Sequence, residues 1–178
     1  MIRLFAALAV PDDIAAELAP RQTGLPGARW SPPENLHLTL RFFGDLDERA
    51  AEDLDIELAR IDVPAFELQL SGAGSFGDDR RARAVWAGLK PSEPLARLAA
   101  KCETAARRAG LEPSHRAYSP HVTLAYVQRA EPGRVASWTA LNAMLSSRPF
   151  RVERFGLYSS VLGAAGPHYE IERSYRLG

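Results

Sequence analysis

A chain of 178 residues, 46% of them apolar and 25% charged, can bury one sizeable core and has the balance of a folded globule, which excludes the disordered and collagen-like classes. Its 22 basic and 22 acidic residues cancel, so no global field draws the chain to nucleic acid, and any such contact has to come from a local patch. The lone Cys102 excludes an intrachain disulfide and suits a reducing compartment, and no run reaches the roughly 18 apolar residues of a membrane helix; a cytoplasmic monomer without a membrane partner is expected.

Ile2 to Val10 reads as a buried strand. Pro11 then presets φ, and Asp12 and Asp13 place negative charge in the first turn of a helix running to about Arg21. Gly24 to Gly27 is loop, and Ala28 to Ser31 a short strand closed by Pro32-Pro33. From Asn35 to Phe43 apolar and polar residues alternate at the period of a half-buried strand. Strict alternation puts Leu36, Leu38, Leu40 and Phe42 on one face and His37, Thr39 and Arg41 on the other, with Gly44 as the stop. Asp47 to Ile61 is helical, with Ala51, Leu54, Leu58 and Ile61 along one side. Phe66 to Gly72 is a strand. Gly72 to Arg83 reads as an exposed loop or hairpin, its Arg80, Arg81 and Arg83 forming a candidate rim for an RNA backbone. Ala84 to Leu89 is a strand around Val85 and Trp86. Ser92 caps a helix to about Ala109, whose apolar stripe of Leu95, Leu98, Ala99, Cys102, Ala106 and Ala109 makes Cys102 a small core residue. A second alternating strand starts at Pro120, a helix spans about Gly133 to Met144, a strand Phe150 to Ser160, and a loop through Gly163 to Pro167 leads to a last strand, Tyr169 to Leu177. Helices alternating with hairpins suggest an α+β fold of two similar lobes.

Two of these strands carry the same lettering, His37-Leu38-Thr39-Leu40 and His121-Val122-Thr123-Leu124, one in each half of the chain. A lone strand histidine is usually structural. With five threonines and four histidines in 178 residues, however, a recurrence in the same strand context points to chemistry. Imidazole has an unperturbed pKa of about 6.5, so a pair can hold one neutral base and one charged acid near pH 7. Phosphodiester cleavage needs both, on opposite sides of phosphorus. A threonine two residues on shares the strand face, and its hydroxyl can donate to a phosphate oxygen. A zinc site built from His37, His121 and either His115 or His168 is the alternative, but the spacings match no common ligand motif and leave the threonines unexplained. No Walker loop, dinucleotide glycine motif or nucleophile-elbow serine is present.

The paired motifs resemble those of the 2H phosphoesterase superfamily, and more narrowly of the RNA 2′,3′-cyclic phosphodiesterases, also called 2′-5′ RNA ligases. The likeness extends to Ile2-Arg3-Leu4-Phe5-Ala6-Ala7, Pro33 to Gly44, Arg83-Ala84-Val85-Trp86-Ala87-Gly88, Tyr118 to Ala125, and the tail from Leu157 to Glu170. The resemblance implies a single domain over residues 1–178 made of two interleaved pseudo-symmetric lobes of antiparallel sheet, with outer helices around a central cleft. It implies chemistry with no metal and no cofactor. The implied substrate is RNA or a nucleotide ending in a 2′,3′-cyclic phosphate, opened to a 2′-phosphomonoester. By the same resemblance His37 is the proton donor to the leaving 3′ oxygen, His121 the proton acceptor that activates water, and Thr39 and Thr123 hold the phosphate. Where the family often has Arg or Lys after the second motif, this chain has Tyr126, which alternation turns away from the histidines; Arg41 could supply the positive charge instead. Trp30, Phe43 and Tyr118 are candidates for stacking on a base. Ligation of 2′,5′ ends, cleavage of 2′,5′ linkages, and RNA-end binding without turnover remain the alternatives.

Overall fold

The computed structural model describes residues 1–77, 83–131 and 133–178. The strands run β1 (Ile2–Ala9), β2 (Ala28–Trp30), β3 (His37–Leu46), β4 (Phe66–Leu68), β5 (Leu70–Phe76), β6 (Ala84–Leu89), β7 (Val122–Val127), β8 (Phe150–Val152), β9 (Arg154–Gly163) and β10 (Gly166–Arg176). The helices are α1 (Asp12–Leu18), α2 (Glu48–Ala59), α3 (Glu93–Arg108) and α4 (Arg134–Leu141). Every pairing is antiparallel. The main sheet has the order β10-β9-β1-β3-β7-β6-β5, with β2 also paired to β7. Its two halves, β10-β9-β1-β3 and β7-β6-β5, meet at one registered pair, Leu38 opposite Val122. The fold is α+β with antiparallel sheets, as the sequence implied.

One face of the sheet is covered by helices. Asp47 accepts a hydrogen bond from the Ala50 amide at 2.8 Å and starts α2; Ser92 does the same for α3 from the Leu95 amide at 3.3 Å. The α3 stripe of Leu95, Leu98, Ala99, Cys102, Ala105 and Ala106 is fully buried and joins one core with Leu38, Leu40, Val122 and Leu124. Burial pushes the Cys102 thiol up to about 12, so it is inert at neutral pH, a packing residue as its place in the stripe indicated. The other face of the sheet is left open, and on it stand the histidines.

Some local readings change, among them the strand expected at Phe150 to Ser160, which is two: β8 pairs with β4 in a two-stranded sheet and β9 joins the main sheet. Gly44 does not end its strand: it takes φ +85°, lets the chain bulge, and β3 continues to Leu46 against Ile2. The strand expected at Phe66 to Gly72 divides at Gln69. Its first part, β4, pairs with β8 in a separate two-stranded sheet, while β5 rejoins the main sheet and runs through the glycines to Phe76. The loop expected at Gly163 to Pro167 is the tight turn of a long β9–β10 hairpin. Of the expected arginine rim, Arg80 and Arg81 lie outside the described residues; Arg83 closes the β5–β6 hairpin through its backbone, donating to Phe76 O at 2.8 Å and accepting from Val127 N at 2.9 Å.

Candidate active site

In an antiparallel pair with Leu38 opposite Val122, one step either way sets His37 beside Thr123 and Thr39 beside His121, with all four side chains on the face opposite the buried Leu38 and Val122. A pseudo-twofold axis passes between the two buried residues, and each half contributes one imidazole and one hydroxyl. Three cavities meet at these residues. One of about 360 Å³ is lined by His37 and Thr39, one of about 560 Å³ by His37 and Thr123, and one of about 730 Å³ by Thr39 and His121.

The imidazoles are held alike. Nδ1 of His37 lies 2.7 Å from the Asn35 carbonyl oxygen, and Nδ1 of His121 lies 2.7 Å from that of Ser119, in both cases two residues back. A carbonyl only accepts, so Nδ1 carries the hydrogen and donates, and Nε2 is the nitrogen left to exchange a proton. The Asn35 side chain in turn donates to the Pro167 carbonyl at 3.0 Å, tying the β9–β10 hairpin to the His37 backbone. Aromatic rings fix the imidazole planes: Phe5 and Tyr169 lie 5.1 and 5.0 Å from His37, Phe76 and Trp86 4.7 and 6.1 Å from His121.

Desolvation is the main cause that lowers both imidazoles from their ordinary value, and proximity to His121 lowers His37 further. The native protein binds fewer protons than the unfolded chain just below pH 6.5, so its stability falls as pH drops through that region.

Both motif strands carry the same irregularity. Ala6 and Ala7 face Arg41 and Thr39, and Val85 and Trp86 face Ala125 and Thr123, so Leu40 in β3 and Leu124 in β7 are each one residue extra. The bulge reverses the alternation after each motif. Phe42, expected in the core, is 43% exposed, and Tyr126, expected to turn away from the histidines, is 38% exposed and lines the cleft beside His37. Arg41 is turned the other way. Its guanidinium pairs with Glu103 of α3 and donates to the Glu112 carbonyl at 2.8 Å. It lines the cavity on the His121 side, but its charge is matched by the carboxylate. Of the stacking candidates, Tyr118 lines that same cavity, Trp30 packs 6.0 Å from Trp138 and lines the cavity of about 560 Å³, and Phe43 packs against the core. His115 lines none of the three cavities, while His168 is exposed 3.4 Å from Glu170. Among the described residues no cluster of three His, Cys, Asp or Glu side chains has the geometry of a metal site.

Sequence reading passed over Arg3, Arg29, Tyr169 and Trp86 around the site. Trp86 depends on Gly74, its partner across β5–β6, where a Cβ would fall 2.3 Å from the indole. Gly74→Ala is expected to displace the ring that borders His121, destabilising the fold by about 1–3 kcal/mol. Thermal melts measure the loss, and a wild-type melting temperature would show that the indole has room to move.

A family model described as the 2′-5′ RNA ligase superfamily matches residues 10–164. An RNA 2′,3′-cyclic phosphodiesterase of Archaeoglobus fulgidus is 30% identical over 177 residues, which are 98% of this chain and 99% of that protein. One from Escherichia coli is 36% identical over 126 residues, 68% of this chain and 70% of that one. The crystal structure of E. coli LigT complexed with 3′-AMP superposes with a TM-score of 0.81 at 28% identity, covering 99% of this chain and 98% of that one.

Proposed function

The chain belongs to the 2′-5′ RNA ligase superfamily, and from that membership and its paired histidines we propose that it is an RNA 2′,3′-cyclic phosphodiesterase acting by two-imidazole acid–base catalysis. The observation that carries this reading is the symmetric quartet of His37, Thr39, His121 and Thr123 on adjacent antiparallel strands, with both Nδ1 atoms tied to backbone carbonyls.

In the reaction, water attacks phosphorus in line with the P–O3′ bond. His121 takes a proton from the water as the new P–O bond forms. His37 gives a proton to O3′ as the old bond breaks, leaving a 2′-phosphomonoester and a free 3′ hydroxyl. His37 is the more enclosed of the two and suits the ribose oxygen; His121, in the more open position, suits a group that must recruit water. Thr39 and Thr123 donate to the non-bridging oxygens, which gain negative charge in the transition state. The imidazoles and hydroxyls supply every proton transfer, so the rate is expected to be unchanged by chelators. All four groups come from one chain, which favours a monomer as the working unit. The lone buried thiol fits a reducing cytoplasm. No helix among the described residues is long and apolar enough to cross a membrane.

An oligoribonucleotide ending in 2′,3′-cyclic phosphate should give only the 2′-phosphate product; a 3′-phosphate, or binding with no turnover, would sink the assignment. The pH profile is a second check. The active free enzyme has one imidazole charged and one neutral, so kcat/KM is bell-shaped and centred midway between their two pKa values. Both lie below the ordinary 6.5, so the maximum is expected below pH 6.5. The profile of kcat should peak at higher pH, because a bound anion between the rings favours their protonated forms.

A further inference from the structure

The cyclic ester has two sides. O2′ and O3′ belong to the ribose, so the rest of the RNA leaves the site on the flank of the group that protonates O3′. On the His37 flank the cavity of about 360 Å³ is lined by Arg3 and Arg29 and by no carboxylate. Neither guanidinium has a carboxylate within 4.0 Å among the described residues, in contrast to Arg41 on the opposite flank, which is paired with Glu103.

Each guanidinium also rests on one of the two aromatics that the bulges turn into the cleft. The Arg3 Cζ lies 5.1 Å from the Phe42 ring centre and the Arg29 Cζ 5.7 Å from that of Tyr126. Arg29 is brought there by β2, whose register sets it directly opposite Tyr126 on β7. Its other side is bounded by Gly166 in the hairpin turn, where a Cβ would come 3.5 Å from the guanidinium. The arginine is thus held on both sides and lines the two cavities that His37 also lines, the second of which takes in Glu34 as well. A planar cation held in place with no carboxylate within 4.0 Å suits a phosphate by its chemistry.

We propose that Arg29, with Arg3 adding to the field along the same wall, binds the first phosphate upstream of the cyclic end, so that the enzyme selects RNA chain ends over free nucleoside cyclic phosphates. This rests on the reading of His37 as the proton donor. Tyr126 is then the platform that carries the cation of the neighbouring strand.

Adenosine 2′,3′-cyclic phosphate and the same nucleotide bearing a 5′-phosphate differ only in the group that Arg29 would hold. The ratio of their kcat/KM values is expected to favour the 5′-phosphorylated substrate by about 10-fold or more in wild type. Arg29→Gln should bring the ratio close to one, mainly through KM. Arg29→Lys should restore part of it, and the salt dependence of the ratio should weaken in Arg29→Gln. Melting curves confirm that the variants fold, and Arg173→Ala, whose guanidinium pairs with Asp55 and lines neither His37 cavity, is the control that keeps the wild-type ratio. If wild type opens neither substrate, the phosphodiesterase reading itself fails. If it opens both and Arg29→Gln retains the wild-type ratio, that reading stands and the upstream phosphate site is overturned, with the RNA leaving past His121.

Discussion

Replacing either His37 or His121 by alanine is expected to lower kcat by about 100- to 10,000-fold, the range for loss of one positioned acid or base. The two losses should be of similar size, because the two imidazoles are built alike: each donates from Nδ1 to a carbonyl two residues back and each is bracketed by two rings. The double variant should lose much less than the product of the two single effects, since proton donation and proton acceptance belong to one transition state. Their pH profiles should differ from each other. A variant left with only a base keeps the acidic limb of the bell, and one left with only an acid keeps the alkaline limb. Single-turnover rates across pH measure all of this. Wild-type activity in either variant would rule out the paired-imidazole scheme.

The threonines should come next, at about 100-fold each in Thr39→Val and Thr123→Val, the size of one lost oxyanion donor. Valine keeps the volume and the β-branch, so the strands hold their register and only the hydroxyl is removed. The loss should fall on kcat more than on KM, because the non-bridging oxygens gain charge only as the bond breaks. Here too symmetry predicts near equality. A large loss at one position with none at the other would mean that the phosphate sits to one side of the pseudo-twofold axis.

Much of this site is legible in the letters, and the limit has a physical cause. His-x-Thr at period two on a strand is a statement about one face, and its recurrence identifies two such faces. The α3 stripe and its Ser92 cap are equally local, and they hold. The residues beyond each motif obey no local rule. Whether Leu40 and Leu124 occupy one sheet position or an extra one depends on the partner strand, and a single surplus residue reverses the side chains that follow it up to the next bulge. Arg41 thereby leaves the histidine face for Glu103, while Phe42 and Tyr126 arrive on it. The same blindness made Gly44 look like a stop: a glycine that ends a strand and one that lets it bulge are the same letter. Arg29 carried no signal at all, since a three-residue strand acquires its neighbour only in three dimensions.

The strand order has a kinetic corollary. β1 lies between β3, which is complete by Leu46, and β9, whose Gly156 pairs with Ala7. During synthesis one edge of a nearly all-buried strand therefore waits, unpaired, until most of the polypeptide has left the ribosome. Such wide loop closure favours slow folding. The vulnerable interval is one in which Leu4 to Leu8 can be captured by a second nascent molecule, so yields on overexpression should improve on slowing translation or lowering temperature, with no change to the finished enzyme.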